Sequence, residues 1–302
     1  MPSNYTEFKI PKKSGGFRTV CAPSITLLKY QRGKLSKLEY LYTKNAKEMN
    51  VNNIAHGFLS YRNCITGAEQ HIGYKTTLMM DISNFFNSIT KTKILDNLPN
   101  GLISKLKNKA YYNDIGEVAQ GFATSPIIAN IYSLPIIARI KYALQSLFNR
   151  LEDSDFAFTM YADDIQISFN QEDKKTINSI KAIVTEAFNE YELDINEKKT
   201  RVRFAKFGYR RILGVNVGDT EIRATRKVMR KIRAASHQEN FSSLGGLIGW
   251  SECKRPMSKE DKDAFYEKKR GETTTEAPNT EAPKSNFFTR VMNEDISESC
   301  DF

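Results

Sequence analysis

Between Phe158 and Asn170 the chain reads FTMYADDIQISFN, and apolar and polar positions alternate on both sides of two acids. Phe158 and Met160 flank Thr159; Ile165, Ile167 and Phe169 alternate with Gln166, Ser168 and Asn170. A period of two marks half-covered strands, so this stretch predicts strand, two-residue tip, strand, with Asp163 and Asp164 at the turn. The stretch EFKIPKKSGGFRTV (7–20) predicts another hairpin, turning at Gly15-Gly16 with Lys12, Lys13 and Arg18 around it. Tyr74 to Ile82 reads as a strand running into Asp81. RRILGVNVGDTEI reads as a further hairpin with Val217-Gly218-Asp219 at its tip.

Helical spacing takes over elsewhere. Leu27, Leu28, Leu35, Leu38 and Leu41 predict a helix from Thr26 to about Asn50, with lysines on its other face. A loop and a short helix follow in AHGFLSYRNCITGAEQH, and helical patterning resumes by Lys91. A long apolar helix starts near Pro126, with Thr124 and Ser125 as caps. TINSIKAIVTEAFNEYEL and TRKVMRKIRAA are also helical. Residues 111–119 are polar and unpatterned. GETTTEAPNTEAPKS (271–285) repeats TEAP without core-forming residues and reads as a disordered linker before a short docking helix at 287–296.

Net charge narrows the partners. The 302 residues carry a formal charge of +10, which favours a polyanion, either nucleic acid or an anionic membrane surface. Thirteen Lys or Arg lie between Lys198 and Arg233 against two acids, Asp219 and Glu221. Within that window Arg226, Arg230 and Arg233 form one helical stripe with Lys227 and Lys231 beside it. Such a doubly lined stripe reads as a phosphate-backbone track, and a merely solvated face is the plainer alternative. The four cysteines and three histidines are scattered, which suggests no zinc motif or disulfide framework and suits a reducing cytoplasm. The N-terminus has no apolar signal core, and no run approaches 18 uninterrupted apolar residues. The expectation is a soluble cytoplasmic protein without a membrane partner.

Adjacent carboxylates repel, which is tolerable beside a divalent cation, and oxygen-only ligands point to Mg²⁺. Asp81 stands at a strand end 82 residues before Asp163. Acids converging from separate strands are what two-metal nucleotidyl transfer requires, with Asp81 and Asp163 bridging two ions and Asp164 supporting them. An N-cap role for Asp81 is the plainer alternative.

Tyr-Ala-Asp-Asp (161–164), Asp81 upstream and QGFATSP (120–126) between them resemble the palm of a reverse transcriptase. The similarity is to the bacterial retron and defence-associated branch, related to group II intron enzymes. It runs from about Glu7 to Trp250, with the motifs in the family's order. The resemblance implies an α+β right-hand polymerase: fingers over 1–75 with part of 90–115, palm over 76–218, thumb over 219–270 and a flexible tail over 271–302. It implies Asp81, Asp163, Asp164 and Lys199 as catalytic groups, Lys199 protonating the leaving pyrophosphate. The metal set is Asp81, Ile82, Asp163 and Asp164, for two Mg²⁺ ions or Mn²⁺ in their place. Lys12 and Arg18 would touch the triphosphate, and Phe86 would exclude a ribose 2′-OH. Gln120, Gly121 and Tyr161 would line the nucleotide site, and the Arg226 helix would follow the duplex.

For function, the resemblance implies copying of a noncoding structured RNA into DNA from deoxynucleoside triphosphates. The product would be a branched RNA–DNA hybrid, made in antiphage defence beside a separate effector protein. Template-free or protein-primed synthesis and a non-catalytic RNA-binding scaffold are the other readings. Two stretches depart from the retron pattern. Where that branch has Asn-Ala-x-x-His, this chain has Gly67-Ala68-Glu69-Gln70-His71, and Ile212-Leu213-Gly214 stands in place of Val-Thr-Gly.

Overall fold

The N-terminal hairpin forms as its alternation predicts: β1 (Tyr5–Pro11) pairs antiparallel with β2 (Phe17–Pro23). The computed structural model describes residues 4–12, 15–152 and 155–256, which fall within one unit ending at Pro256. Lys13, the last part of the expected thumb span (257–270), the tail and the helix expected at 287–296 lie outside the described residues.

Two helices replace the single one expected over 26–50. The first, α1 (Ile25–Arg32), is capped by Ser24, whose Oγ accepts from Leu27 N; α2 (Leu35–Glu48) starts after Gly33-Lys34. The leucine spacing continues through the break, but glycine adds no side-chain packing and weakens a helix at that point. After an irregular segment, α3 (Cys64–Glu69) opens with a reciprocal capping box between Asn63 and Thr66.

The buried strand β3 (Thr76–Asp81) leads through a short α4 (Phe85–Ser88) into α5 (Lys91–Asn97) and α6 (Asn100–Leu106). Asp81 does not cap α4; that position belongs to Asn84. Then comes α7 (Ser125–Arg150), with its proline in the first turn as expected. This helix is long and apolar enough to cross a membrane, yet most of its residues are buried inside the protein. Its Ile128, Ile131, Leu134 and Ile137 are part of the main core, packed with residues of the sheet and of the flanking helices.

Strands β4 (Ala157–Tyr161) and β5 (Asp164–Phe169) form the expected acid-tipped hairpin. Next come α8 (Lys174–Asn189) and β6 (Arg201–Phe204). The sheet order is β4-β5-β3-β6, antiparallel throughout. It thus combines strands from three separated regions of the chain, and the core packs α7 and α8 against it.

The region expected to be one more hairpin is a three-stranded meander: β7 (Arg210–Ile212), β8 (Val215–Val217) and β9 (Ile222–Arg223). Its first turn is Leu213-Gly214, both at positive φ, as a two-residue hairpin turn demands. Val217-Gly218-Asp219 opens the second turn, leading into β9. The hairpin expected with Val217-Gly218-Asp219 at its tip is thus the β8–β9 pair, and the turn at Leu213-Gly214 adds a third strand that the alternation alone does not predict.

Finally α9 (Arg226–His237) and α10 (Phe241–Ser251) pack on each other through Ile232, Ala235 and Leu244. Trp250 packs against the separate cluster of Ile65, Ala68, Ile212, Val215 and Val217.

Candidate active site

Register brings the acids together. In the β3–β5 pair Asp81 lies opposite Asp164, and Ile82 N donates to Asp163 O at 3.0 Å. The Tyr161↔Asp164 pair closes the β4–β5 hairpin, so its tip is Ala162-Asp163 and not the two acids. Ala162 takes the left-handed conformation, φ 55°, which lets Asp164 enter β5 as its first residue.

Asp81 is buried. Its Oδ2 accepts from Lys199 Nζ at 2.8 Å, whereas its Oδ1 has no hydrogen-bond partner. Buried carboxylate oxygens are nearly always paired, so this one is open to an ordered water or a cation. Burial pushes the Asp163 carboxyl up, with the Asp81 charge adding to it, while Lys199 and Arg18 pull it down. Asp164 keeps an edge open to solvent, yet the protein packed around it and the charges of Asp163 and Asp81 push it up to about 6. The hydrogen bond to Asp81 raises Lys199. Among the described residues no three His, Cys, Asp or Glu side chains are gathered closely enough to hold a metal ion as they stand, and the Lys199 ammonium pairs with Asp81. The donor chemistry still fits hard divalent cations: carboxylate oxygens only, one of them without a hydrogen-bond partner. Ile82 has a buried hydrocarbon side chain, so its only ligand atom is the main-chain carbonyl.

The N-terminal hairpin reaches this site. Arg18 on β2 is close enough to bias Asp163, and Lys12 Nζ lies 3.5 Å from Asn84 Oδ1, just before α4. Cys21 N on β2 donates to Gln120 O at 2.7 Å. Gly121 has φ +105°, and a Cβ there would lie 2.4 Å from Cys21 O, so only glycine permits this approach.

Phe86 is half-buried, with its ring 6.2 Å from that of Phe58, which in turn lies 6.1 Å from Tyr161. Phe58 is a site residue that sequence reading missed. It lies in the segment taken only as a loop, and its φ of 61° is rare for a bulky residue and typical of strained functional positions. The available signal was the preceding glycine. A Cβ on Gly57 would stand 2.9 Å from Ala162 N, so this loop presses against the hairpin tip. His56 N also donates to Met160 O at 2.8 Å.

The basic stripe forms on α9, where Arg226, Lys227, Arg230, Lys231 and Arg233 are all exposed, while Ile232 and Ala235 are buried.

Residues 10–245 match the family model described as "Reverse transcriptase (RNA-dependent DNA polymerase)". The chain belongs to the reverse transcriptase family. It is 28% identical to the Retron Mx65 reverse transcriptase of Myxococcus xanthus, covering 85% of this chain and 63% of that protein. It is 29% identical to the Retron Mx162 reverse transcriptase of the same organism, covering 80% and 54%. With the Retron Ec73 reverse transcriptase of Escherichia coli the identity is 25%, covering 83% of each. The chain thus spans 54–63% of the length of the two Myxococcus relatives. The resemblance to retron reverse transcriptases holds in these relatives.

The two departures from the retron pattern meet in space. A Cβ on Gly67 would lie 2.8 Å from Leu213 Cδ1. A larger residue at 67 would displace the Leu213 side chain from where it stands, so the two differences are neighbours in space.

Proposed function

We propose that this chain is a retron-type RNA-directed DNA polymerase. It extends a nucleic-acid primer on an RNA template with deoxynucleoside triphosphates. One observation carries the reading: Asp81 and Asp164 are opposed across β3 and β5, with Asp163 at the adjoining tip and Asp81 Oδ1 unpartnered.

Asp81, Asp163, Asp164 and the Ile82 carbonyl would hold two Mg²⁺ ions, or Mn²⁺ in their place. Such ions activate the attacking hydroxyl and neutralise the leaving pyrophosphate. The protein's own residues do the rest. Lys12 and Arg18 meet the triphosphate from the fingers hairpin. Gln120 and Gly121 present main chain to the incoming base pair. Phe86, backed by Phe58 and Tyr161, occupies the space a ribose 2′-OH needs. Lys199 holds its proton beside Asp81 and delivers it to the departing pyrophosphate. The α9 stripe follows the phosphates of the duplex. In this reading residues 1–75, with part of 90–115, serve as fingers, 76–218 as palm and 219–270 as thumb.

The homology to retron enzymes favours a dedicated noncoding RNA as template and primer, with a branched RNA–DNA product. It also favours a bacterial cytoplasmic setting, a role in antiphage defence and a separate effector protein. Primer extension on an RNA template tests the polymerase reading. Wild type should extend with Mg²⁺, and Asp163→Asn or a chelator should abolish the product. Failure of wild type on any primer sinks it. Sequencing nucleic acid that co-purifies with the protein tests the retron part: one structured RNA joined to cDNA is expected, and heterogeneous untemplated DNA would overturn it.

A further inference from the structure

Away from the acids, a groove of about 1030 Å³ lies between α1–α2 and the segment 104–111. Lys34, Lys37 and Lys44 come from one wall, and Lys105, Lys107 and Lys109 from the other. Lys91, at the start of α5, also lines it, and no Asp or Glu does. Among the described residues only Lys44 of these seven has a carboxylate partner, the exposed Glu48 at 3.8 Å. Like charges gathered in a concavity raise the local potential and draw in a polyanion.

The groove also presents flat rings. Tyr40 is 71% exposed and Tyr30 is 38% exposed. Tyr30 is held in place: Asn108 Nδ2 donates to its hydroxyl at 2.6 Å, and the Lys34 ammonium lies 4.9 Å over its ring. One wall is pinned as well. The fully buried Gln31 donates from Nε2 to Ala110 O at 2.8 Å and accepts at Oε1 from Ala123 N at 2.9 Å. That side chain ties α1 to the groove's far wall and to the loop carrying Gln120 and Gly121. The groove is therefore preformed, and its occupant pays little to order it.

We infer that this groove binds a single-stranded stretch of RNA or DNA outside the catalytic cleft. Its volume is at the upper limit for a small-molecule site, which favours a polymer. Lysines with exposed aromatic rings are the chemistry of single-strand platforms, where phosphates meet cations and bases stack. A duplex hides its base faces and leaves the tyrosines unused; a membrane surface does not fill a concave groove. The choice of a nucleic acid over another polyanion rests on the polymerase reading.

The test uses the full chain without nucleotides and labelled oligothymidylate or oligouridylate, which separates DNA from RNA. Tyr40→Ala should weaken binding about tenfold, the loss of one stacked base. The double variant Lys37→Gln/Lys107→Gln should make the log–log salt dependence shallower by about 1.4, at about 0.7 per phosphate contact on a single strand. Photo-cross-links from 4-thiouridine in the oligouridylate should map to Tyr30 or Tyr40. All three side chains substituted are exposed, and circular dichroism checks that the variants fold. Unchanged affinity and salt slope in both variants, or cross-links confined to α9, would overturn the proposal. So would binding of polyglutamate with no binding of either oligonucleotide. The outcome is separable from catalysis: loss of extension with groove binding intact would fault the polymerase reading alone.

Discussion

Lys199 Nζ donates to Asp81 Oδ2 at 2.8 Å, joining residues 118 positions apart at the head of the acid cluster. The contact raises the lysine's pKa, so its proton is retained through neutral pH. Lys199→Met should lower the rate of nucleotide addition about a hundredfold, within the range for removal of a general acid. The KM for nucleotide should change little. Single-turnover extension measures both, and an unchanged rate would remove Lys199 from the chemistry.

Gly121 is constrained twice, by φ +105° and by the Cys21 carbonyl. Gly121→Ala should therefore cost about 1–3 kcal/mol of stability and uncouple β2 from the Gln120–Gly121 loop. Gly15→Ala, at φ +89° with open space around it, should cost about 1 kcal/mol. Urea midpoints at constant m decide this; equal losses for both variants would refute the steric argument.

Phe58 stands between Phe86 and Tyr161. Phe86→Ala should admit ribonucleotides outright. Phe58→Ala should loosen the gate indirectly, improving the ribonucleotide-to-deoxyribonucleotide ratio of kcat/KM about three- to tenfold, the worth of one aromatic pair. Discrimination unchanged in Phe58→Ala would show that Phe58 does not support the Phe86 ring.

Acid sensitivity should come from two buried imidazoles. His71 bridges Ser168 Oγ at 2.8 Å and Thr159 Oγ1 at 2.7 Å; burial and then the Arg210 charge push it down to about 3. Burial and Arg62 push His56 down to about 4. A base with a depressed folded pKa binds fewer protons folded than unfolded. Stability is thus full above the ordinary histidine pKa of about 6.5 and falls as pH drops from there towards the folded values, by up to about 1.4 kcal/mol per pH unit per imidazole. Denaturant unfolding between pH 7 and pH 4.5 should show this slope, reduced in His71→Gln. A slope unaffected by that substitution would exclude His71 as the source.

Much of this was legible along the chain because it depends on neighbours in sequence. Alternation around Asp163-Asp164 marked β4 and β5, glycines at 15 and 16 marked the fingers turn, and 3.6-residue spacing marked α7, α8 and α9. Local pattern also misled where local rules compete. The leucines of 27–41 run through the break at Gly33, and the apolar run over 212–217 hides the turn at Leu213-Gly214.

What only the tertiary structure decided are relations between distant residues. That Asp81 faces Asp164, that Lys199 rather than another cation reaches Asp81, and that Gly121 touches β2 all follow from sheet register and packing. Phe58 entered the site the same way, because Gly57 lets its loop close on Ala162. Periodicity reports which face of an element is buried, since that is a property of one segment. Which segment buries it depends on the summed fit of side chains contributed from all along the chain.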